Sequence, residues 1–311
     1  MLRSADKINK TSILLGIVSY DRPSFFKLAI AKVMLTGFVR YIIAVCDAST
    51  PKLFEKYRYA IQWLKKLAKT IGIEIFADIQ LGRRGSTTAR NIVLNKASQF
   101  MNDDDILVMI DDDYIIPAKS VLASVVLYFA TDDKIGMIGG RLININKRKI
   151  DPDFYLNIIP GLADSLSNLT GFIFLDTKHG PRYANYLTPL MAIRGKVLKE
   201  GIRYDPNFSG SAYREETDLQ EQVKHLGYRL LHNSKFYAYH LALEVGGNRE
   251  QQAPHIRFYW KAKNHTYYLR KYKKSLLKIV MGAIMIALYS IIYGPKALLA
   301  VVMGLKDGLH L

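Results

Sequence analysis

A single cysteine, Cys46, stands among 311 residues. That excludes an intramolecular disulfide and any metal site built on a cysteine cluster, and it suits a reducing compartment. Acidic side chains are few: 27 Asp and Glu face 44 Lys and Arg, a formal charge of +17. Such an imbalance points to an anionic partner, whether nucleic acid, an acidic membrane surface or a phosphorylated substrate, and charge alone does not choose. Proline is sparse and half of the chain is hydrophobic. A disordered tail is thereby excluded, and there is room for one large α/β domain with a sizeable core plus an extension. Neither G-x-x-x-x-G-K-[ST] nor G-x-G-x-x-G spacing occurs, so the phosphate loops of those two kinds are absent. The basic charge comes without a helix-turn-helix, RRM or zinc-finger pattern. The N-terminal stretch "MLRSADKINKTSILLGIVSYDRP" is basic and then apolar, but the apolar run is short and ends in Asp-Arg-Pro without a small-residue cleavage site. It reads as a first strand and not as a signal peptide.

Short apolar, β-rich runs alternate with longer amphipathic ones. "SILLGIVS" (12–19), "YIIAVC" (41–46), "IEIFA" (73–77) and "DILVMI" (105–110) read as strands. Between them, 23–35, 53–72 and 86–101 carry apolar residues at helical spacing. This alternation predicts a mostly parallel sheet with crossover helices, whose ligands bind at the C-terminal strand ends. No internal repeat or low-complexity segment interrupts it.

At the end of the fourth strand, "ILVMIDDDYIIP" sets Asp111, Asp112 and Asp113 directly after a buried run. Like charges repel there unless a cation sits between them, and carboxylate oxygens are the hard ligands that Mg²⁺ or Mn²⁺ prefers. A solvated acidic turn is the alternative. The first and second strands end in "SYDRPS" and "CDAST", bringing Asp21 and Asp47 to the same rim, where either can also simply cap the following helix. "LGRRGSTTARNIVL" opens a helix with glycine, small residues and an Arg-Asn pair, a composition that lets backbone and guanidinium approach a phosphate or carboxylate. Further on, "YREETDLQEQVKHLGYRL" starts a helix with Glu215, Glu216 and Asp218, which suit either a general base or the positive end of a helix. Among the aromatic residues of 258–260, Phe258, Tyr259 and Trp260 either stack on an acceptor or pack into a core.

Five stretches in order, "GIVSYDRPSFF", "IIAVCDAST", "GRRGSTTARNIVL", "VMIDDDYIIP" and "IRYDPNFSGSAYREETDLQEQVKHLGYRL", resemble family 2 glycosyltransferases, the nucleotide-sugar-dependent group with the GT-A fold. The resemblance spans residues 12 to about 232. It implies an α/β fold, Rossmann-like, with a mostly parallel central sheet and helices on both faces. It implies a metal-binding D-x-D at Asp111 and Asp113, with Asp113 as direct ligand and Mn²⁺ or Mg²⁺ as cofactor. His240 falls where some GT-A enzymes place a third metal ligand, or else is a packed core histidine. The donor pocket is expected to draw on Ser19, Asp21, Arg22, Asp47, Arg84, Arg90, Asp111 and Asp112. Where the family usually has Glu-Asp followed by a variable residue and Asp-Leu, this chain has Glu216 second; Glu216 is the expected base, with Glu215 and Asp218 as competitors. Cys46 also departs from the acid or asparagine common in relatives, which bears on recognition of the donor's base. The implied activity is inverting, metal-dependent transfer of a sugar from a nucleoside diphosphate to a hydroxyl of a lipid-linked or surface-glycan acceptor. A nucleotide-sugar-binding scaffold without turnover and a basic nucleic-acid-binding protein are the alternatives; no nucleic-acid partner is expected.

The expected catalytic domain covers 1–245. Beyond it, 246–278 holds Lys and Arg interleaved with aromatic residues, followed by apolar runs at 279–294 and 297–305 separated by Pro295 and Lys296. The first run falls short of the roughly 20 residues of a spanning helix, and the proline favours a break. Basic and aromatic residues flanking apolar helices predict a hairpin lying in an anionic membrane surface, peripheral or monotopic, on the cytoplasmic face of the cell membrane. Two helices packed on the catalytic domain are the alternative.

Overall fold

The computed structural model describes residues 11–145, 159–243, 246–247 and 253–311. Its first half is a regular alternation: β1 (Ile13–Tyr20), α1 (Pro23–Met34), β2 (Val39–Ala48), α2 (Pro51–Thr70), β3 (Glu74–Leu81), α3 (Ser86–Phe100) and β4 (Ile106–Asp111). The four strands are parallel and lie in the order β3-β2-β1-β4. Two helices begin where the sequence supplies a start signal. Pro23 opens α1, and at α2 Pro51 follows the N-cap Thr50, whose hydroxyl accepts from the Leu53 amide. Helix α3 crosses close over β1 at Gly16, where a Cβ would stand 2.4 Å from Val93 Cγ1. Only glycine permits that approach.

The second half comprises β5 (Tyr114–Ile115), α4 (Lys119–Thr131), β6 (Ile135–Asn144), α5 (Leu162–Thr170), β7 (Arg182–Tyr183), β8 (Met191–Arg194), α6 (Gly195–Lys199), α7 (Glu215–His225), β9 (Arg229–His240), α8 (Pro254–Lys271), α9 (Leu276–Ile291) and α10 (Pro295–His310). The sheet runs β3-β2-β1-β4-β8-β6-β9-β5, with β7 also paired to β9. Strand β8 is antiparallel to both its neighbours, whereas β6 and β9 are parallel to each other. Pairing of β6 with β9 steps from Gly139↔His232 to Arg141↔Tyr237. The extra residues bulge and bend the long strand, and its far end pairs antiparallel with β5, setting Tyr114 opposite His240.

The core lies on both faces of the sheet. On one, Phe26, Ile30, Tyr57, Leu64 and Val125 from α1, α2 and α4 are buried; on the other, Val93, Leu94, Leu198, Leu219 and Val223 from α3, α6 and α7 are buried. This is the expected mixed α/β architecture with helices on both faces. The predicted strands and helices fall within a few residues of those observed.

The C-terminal region divides by face. Helix α8 is tied to α7: the Tyr268 hydroxyl donates to Glu221 at 2.5 Å, the Tyr272 hydroxyl to Asp218 at 2.8 Å, and Lys271 Nζ lies 2.6 Å from Asp218. Helices α9 and α10 pack their inner faces against α8 through Phe258, Ala262, Ile286, Ala297 and Val301. Gly282 of α9 lies over His265, where a Cβ would meet Nε2 at 2.0 Å. The outer faces stay apolar and open, with Leu276 at 73%, Ile292 at 70% and Leu299 at 62% exposure. No helix among the described residues is long and apolar enough to cross a membrane. Of the two alternatives for these helices, the structure shows their packing on the rest of the chain through the inner faces.

Candidate active site

The parallel register brings strand ends into one row. Ser19 pairs with Cys46, Tyr20 with Asp47 and Val18 with Asp111, so β1, β2 and β4 finish together at the rim. Above that row opens a cavity of about 440 Å³, lined by Ser19, Arg22, Asp47, Arg83, Arg90, Asp111, Asp112, Asp113, Glu215, Glu216 and His240, among others. That volume lies within the range of small-molecule sites, roughly 300–1,000 Å³.

The three aspartates part company. Asp112 turns inward and is 3% exposed. A relay of donors ends on it: the Arg22 amide donates to Tyr57, the Tyr57 hydroxyl lies 2.5 Å from Ser19 Oγ, and Ser19 Oγ donates to Asp112 Oδ2 at 2.6 Å. Burial pushes the Asp112 carboxyl up to about 7, against the opposing pull of Arg22. Asp113 shares Arg22, whose Nη1 reaches Asp112 at 3.0 Å and Asp113 at 3.2 Å. The other nitrogen, Nη2, donates to the carbonyls of Leu243 and Gly246, so the chain after β9 is folded over this guanidinium. Asp111 points elsewhere, to Arg90 Nη2 at 2.9 Å.

Arg90, on the second turn of α3, is the hub of the opposite wall. Its guanidinium holds Asp111 and also both Glu215 and Glu216, the latter at 2.8 Å. Helix α7 begins there because Arg214 takes the left-handed conformation, φ 79°, and turns the chain inward. The first three acids of α7 thus acquire different surroundings. Glu215 is 1% exposed and also accepts from Ser86; burial raises its carboxyl well above the usual range. Glu216 keeps a side chain 20% exposed on the cavity wall.

Four expectations are corrected. Asp218 does not reach the cavity: it points to the other side of α7, where Lys271, Tyr272 and Gln222 hold its carboxylate. Arg84 turns back to Asp47 and Asp78, at 2.7 and 2.9 Å, and its neighbour Arg83 lines the cavity instead, over the Tyr20 ring. Asp21 accepts from the Ser49 amide at 2.7 Å and bridges two loops without lining the cavity. The ligand set of Asp111, Asp113 and His240 is not assembled as three: Asp111 is drawn to Arg90, and among the described residues no three acidic, His or Cys side chains form a metal-ready group. Of the three aromatic candidates, Phe258 lines the cavity, Tyr259 donates to Asp307, and Trp260 packs over Gly210.

Asp113 and His240 do meet, with Oδ2 3.4 Å from Nε2. The other imidazole nitrogen, Nδ1, is 2.6 Å from Asn144 Oδ1. An amide oxygen accepts only, so Nδ1 donates to Asn144 and Nε2 is the nitrogen turned to the carboxylate. A carboxylate and an imidazole side by side, the ring held by Asn144 through its outer nitrogen, are a donor pair that fits a divalent cation completed by ligand oxygens.

No protein-family model and no curated protein sequence matches the chain. Solved structures do. The chain is similar to GalNAc-T7, solved with UDP, GalNAc and Mn²⁺, at 16% identity and TM-score 0.60; the match covers 96% of this chain and 54% of that one, so this chain spans about half of its length. It is similar to glucosyl-3-phosphoglycerate synthase from Mycobacterium tuberculosis, solved with Mn²⁺, UDP and phosphoglyceric acid, at 13% identity and TM-score 0.51, over 86% of this chain and 81% of that one. A mycobacterial protein matches at 14% identity and TM-score 0.52, over 86% of this chain and 76% of its own. At these identities the likeness is one of fold, and the fold is the GT-A type.

Proposed function

We propose that the chain is an inverting, metal-dependent glycosyltransferase that moves a sugar from a nucleoside-diphosphate sugar to an acceptor hydroxyl, working at an anionic membrane surface. One observation carries the reading: Arg90 clamps Asp111, at the strand end, and Glu216, at the helix start, across a single cavity. The structural neighbours solved with UDP and Mn²⁺ support the donor class.

Asp113 and His240 would hold the cation. When bound, Mn²⁺ or Mg²⁺ neutralises charge building on a diphosphate leaving group. The protein's own residues do the rest. Arg83, one of the cavity's cations, lines the space for donor phosphates, and Asp47, fixed by two hydrogen bonds from Arg84, offers a rigid acceptor edge to the nucleoside. Glu216 accepts the proton of the acceptor hydroxyl as that oxygen attacks the anomeric carbon opposite the departing diphosphate. Glu215, 1% exposed beside it and engaged by Arg90 and Ser86, positions Arg90 and does not take the acceptor's proton.

Thermal unfolding with UDP-, GDP- and dTDP-sugars, each with Mn²⁺, Mg²⁺ or EDTA, tests the donor. At a ligand concentration 100 times Kd, binding to the folded state contributes about 2.7 kcal/mol, which raises Tm by roughly 5 °C for a chain of this size. The shift vanishes with EDTA and in Asp113→Ala. Glu216→Gln keeps the shift and loses roughly 10²–10⁴ in turnover; undiminished product formation removes Glu216 from its role.

A further inference from the structure

Helix α7, which carries Glu215 and Glu216, starts without a local cap. A helix start is ordinarily capped by a Ser, Thr, Asp or Asn in extended backbone, whose side-chain oxygen accepts from the first turn. Here the residue in that place is Arg214, left-handed at φ 79° and making no capping bond. Its position is fixed from a distance instead. The guanidinium is buried, and Nη2 donates to the carbonyl of Gly171, just past α5, and to His265 Nδ1 of α8 at 2.8 Å. An arginine only donates, so Nδ1 accepts. Helix α9 closes over the same point: a Cβ on Gly282 would overlap His265 Nε2, and Gly171 is enclosed by Leu269 of α8 and Lys278 of α9.

As a stabilising device this arrangement is poor. Among the described residues no acid pairs with Arg214, and neither its Nη1 nor His265 Nε2 has a hydrogen-bond partner. The rings of Tyr268 and Tyr213, 4.6 and 5.4 Å from the guanidinium, attract a cation without supplying a counter-ion. A buried charge without a counter-ion and buried polar atoms without partners both destabilise a fold, and an apolar side chain of similar volume would avoid them. What an apolar side chain cannot do is fix a direction. A planar fork held by α5 and α8 pins the backbone at 214, and the first turn of α7 hangs on it: the Asp218 amide donates to the Arg214 carbonyl at 2.9 Å, and Glu215 and Glu216 lie between.

We propose that Arg214 and His265 are positioning residues for Glu216, kept at a cost in stability, and that Gly282 of α9 holds His265 in place. That the positioned residue is a base rests on the glycosyltransferase reading; that the pair aims the first turn of α7 does not.

The test compares Arg214→Met and Gly282→Ala with the unaltered full chain, measuring Tm and the release of nucleoside diphosphate from UDP-, GDP- and dTDP-glucose with Mn²⁺. Arg214→Met should melt no lower than the unaltered chain, keep its donor KM and thermal shift, and lose roughly 10–100-fold in kcat, the scale of a misplaced reacting group. Gly282→Ala should show the same split between KM and kcat. A structural anchor behaves otherwise: Arg214→Met melting several degrees lower, or failing to fold, overturns the proposal, as does an unchanged kcat in that variant. An unchanged kcat in Gly282→Ala removes α9 from it. A second readout needs no turnover. The Tm deficit of Arg90→Met should shrink in the Arg214→Met background, because Glu215 and Glu216 no longer rest on Arg90; additive deficits overturn the positioning. A chain that turns over no donor sinks the glycosyltransferase reading alone, and the coupling to Arg90 then decides the positioning.

Discussion

Replacing Arg90 with methionine keeps most of the side chain's volume and removes one charge from the centre of the site. The guanidinium is buried, its side chain 8% exposed, and it touches Asp111, Glu215 and Glu216. With Glu215 carrying a proton, as its raised carboxyl favours near neutral pH, the local balance goes from two carboxylates on one cation to two carboxylates on none. Breaking a buried pair from one side costs about 3–5 kcal/mol, because the remaining charge is left in a poorly solvated place. For a chain of this length, roughly 2 °C of Tm per kcal/mol follows, so the variant should melt about 6–10 °C lower in calorimetry at pH 7.5. The deficit should shrink as pH falls, since the freed carboxylates take up protons and the uncompensated charge disappears. Glu215→Gln is the control: it replaces a protonated acid with a neutral amide and should move Tm by less than about 2 °C, within 1 kcal/mol. A deficit under 2 °C in Arg90→Met, or one that does not change with pH, would refute the claim that this arginine neutralises a desolvated acidic cluster.

Asp218→Asn should lower Tm by about 1–3 kcal/mol equivalent, because Lys271 and the Tyr272 hydroxyl lose a buried charged partner, with donor affinity unchanged; a selective loss of turnover at full stability would return Asp218 to the catalytic list. His232 is 2% exposed and burial lowers it to about 4 from an ordinary 6.5. The unfolded chain then binds the proton first, so stability is whole above about pH 6.5 and falls by up to about 3 kcal/mol as pH drops to 4; His232→Gln should flatten that slope in urea titrations. Full-length protein should float with phosphatidylglycerol vesicles and less with phosphatidylcholine, and Ile292→Asn with Leu299→Asn should reduce partition at least tenfold; equal partition of the variant would exclude the outer face of α9 and α10 as the contact.

The parallel half of the sheet was legible because its strands are covered on both faces. A run such as "ILVMI" has one reading when it is bounded by turn residues and followed by an amphipathic helix, and β1 to β4 came within a few residues of their observed limits. Strand β8 was not legible. Its four residues, Met191–Arg194, carry no period of their own and owe their place to antiparallel pairing between β4 and β6. Arg83 and Arg84 could not be told apart for a related reason. Successive residues of an extended loop point to opposite sides, and nothing in "LGRRGS" says which side faces the cavity. The ties from α8 back to α7 join residues about fifty apart, such as Tyr272 with Asp218, and no local pattern announces them.

The acidic start of α7 makes the limit concrete. As sequence, Glu215, Glu216 and Asp218 are three equivalent acids at the positive end of a helix, and the family pattern favoured one without excluding the others. Helical geometry separates them, since positions one and three residues apart point about 100° and 300° round the axis. Packing then finishes the division. Glu215 is driven into the wall under Arg90, Asp218 is turned to Lys271 and Tyr272 at the end of α8, and Glu216 keeps the open direction. The same Arg214 that sets the angle of this helix by its left-handed backbone also buries its guanidinium against His265 of α8 and the Gly171 carbonyl. The direction of Glu216 therefore depends on α8, and α8 on the two helices packed against it. Glu216 is thus aimed into the cavity by the segment that also carries the apolar outer face, and the basic C-terminal region is part of the cavity wall and not an appendage to it.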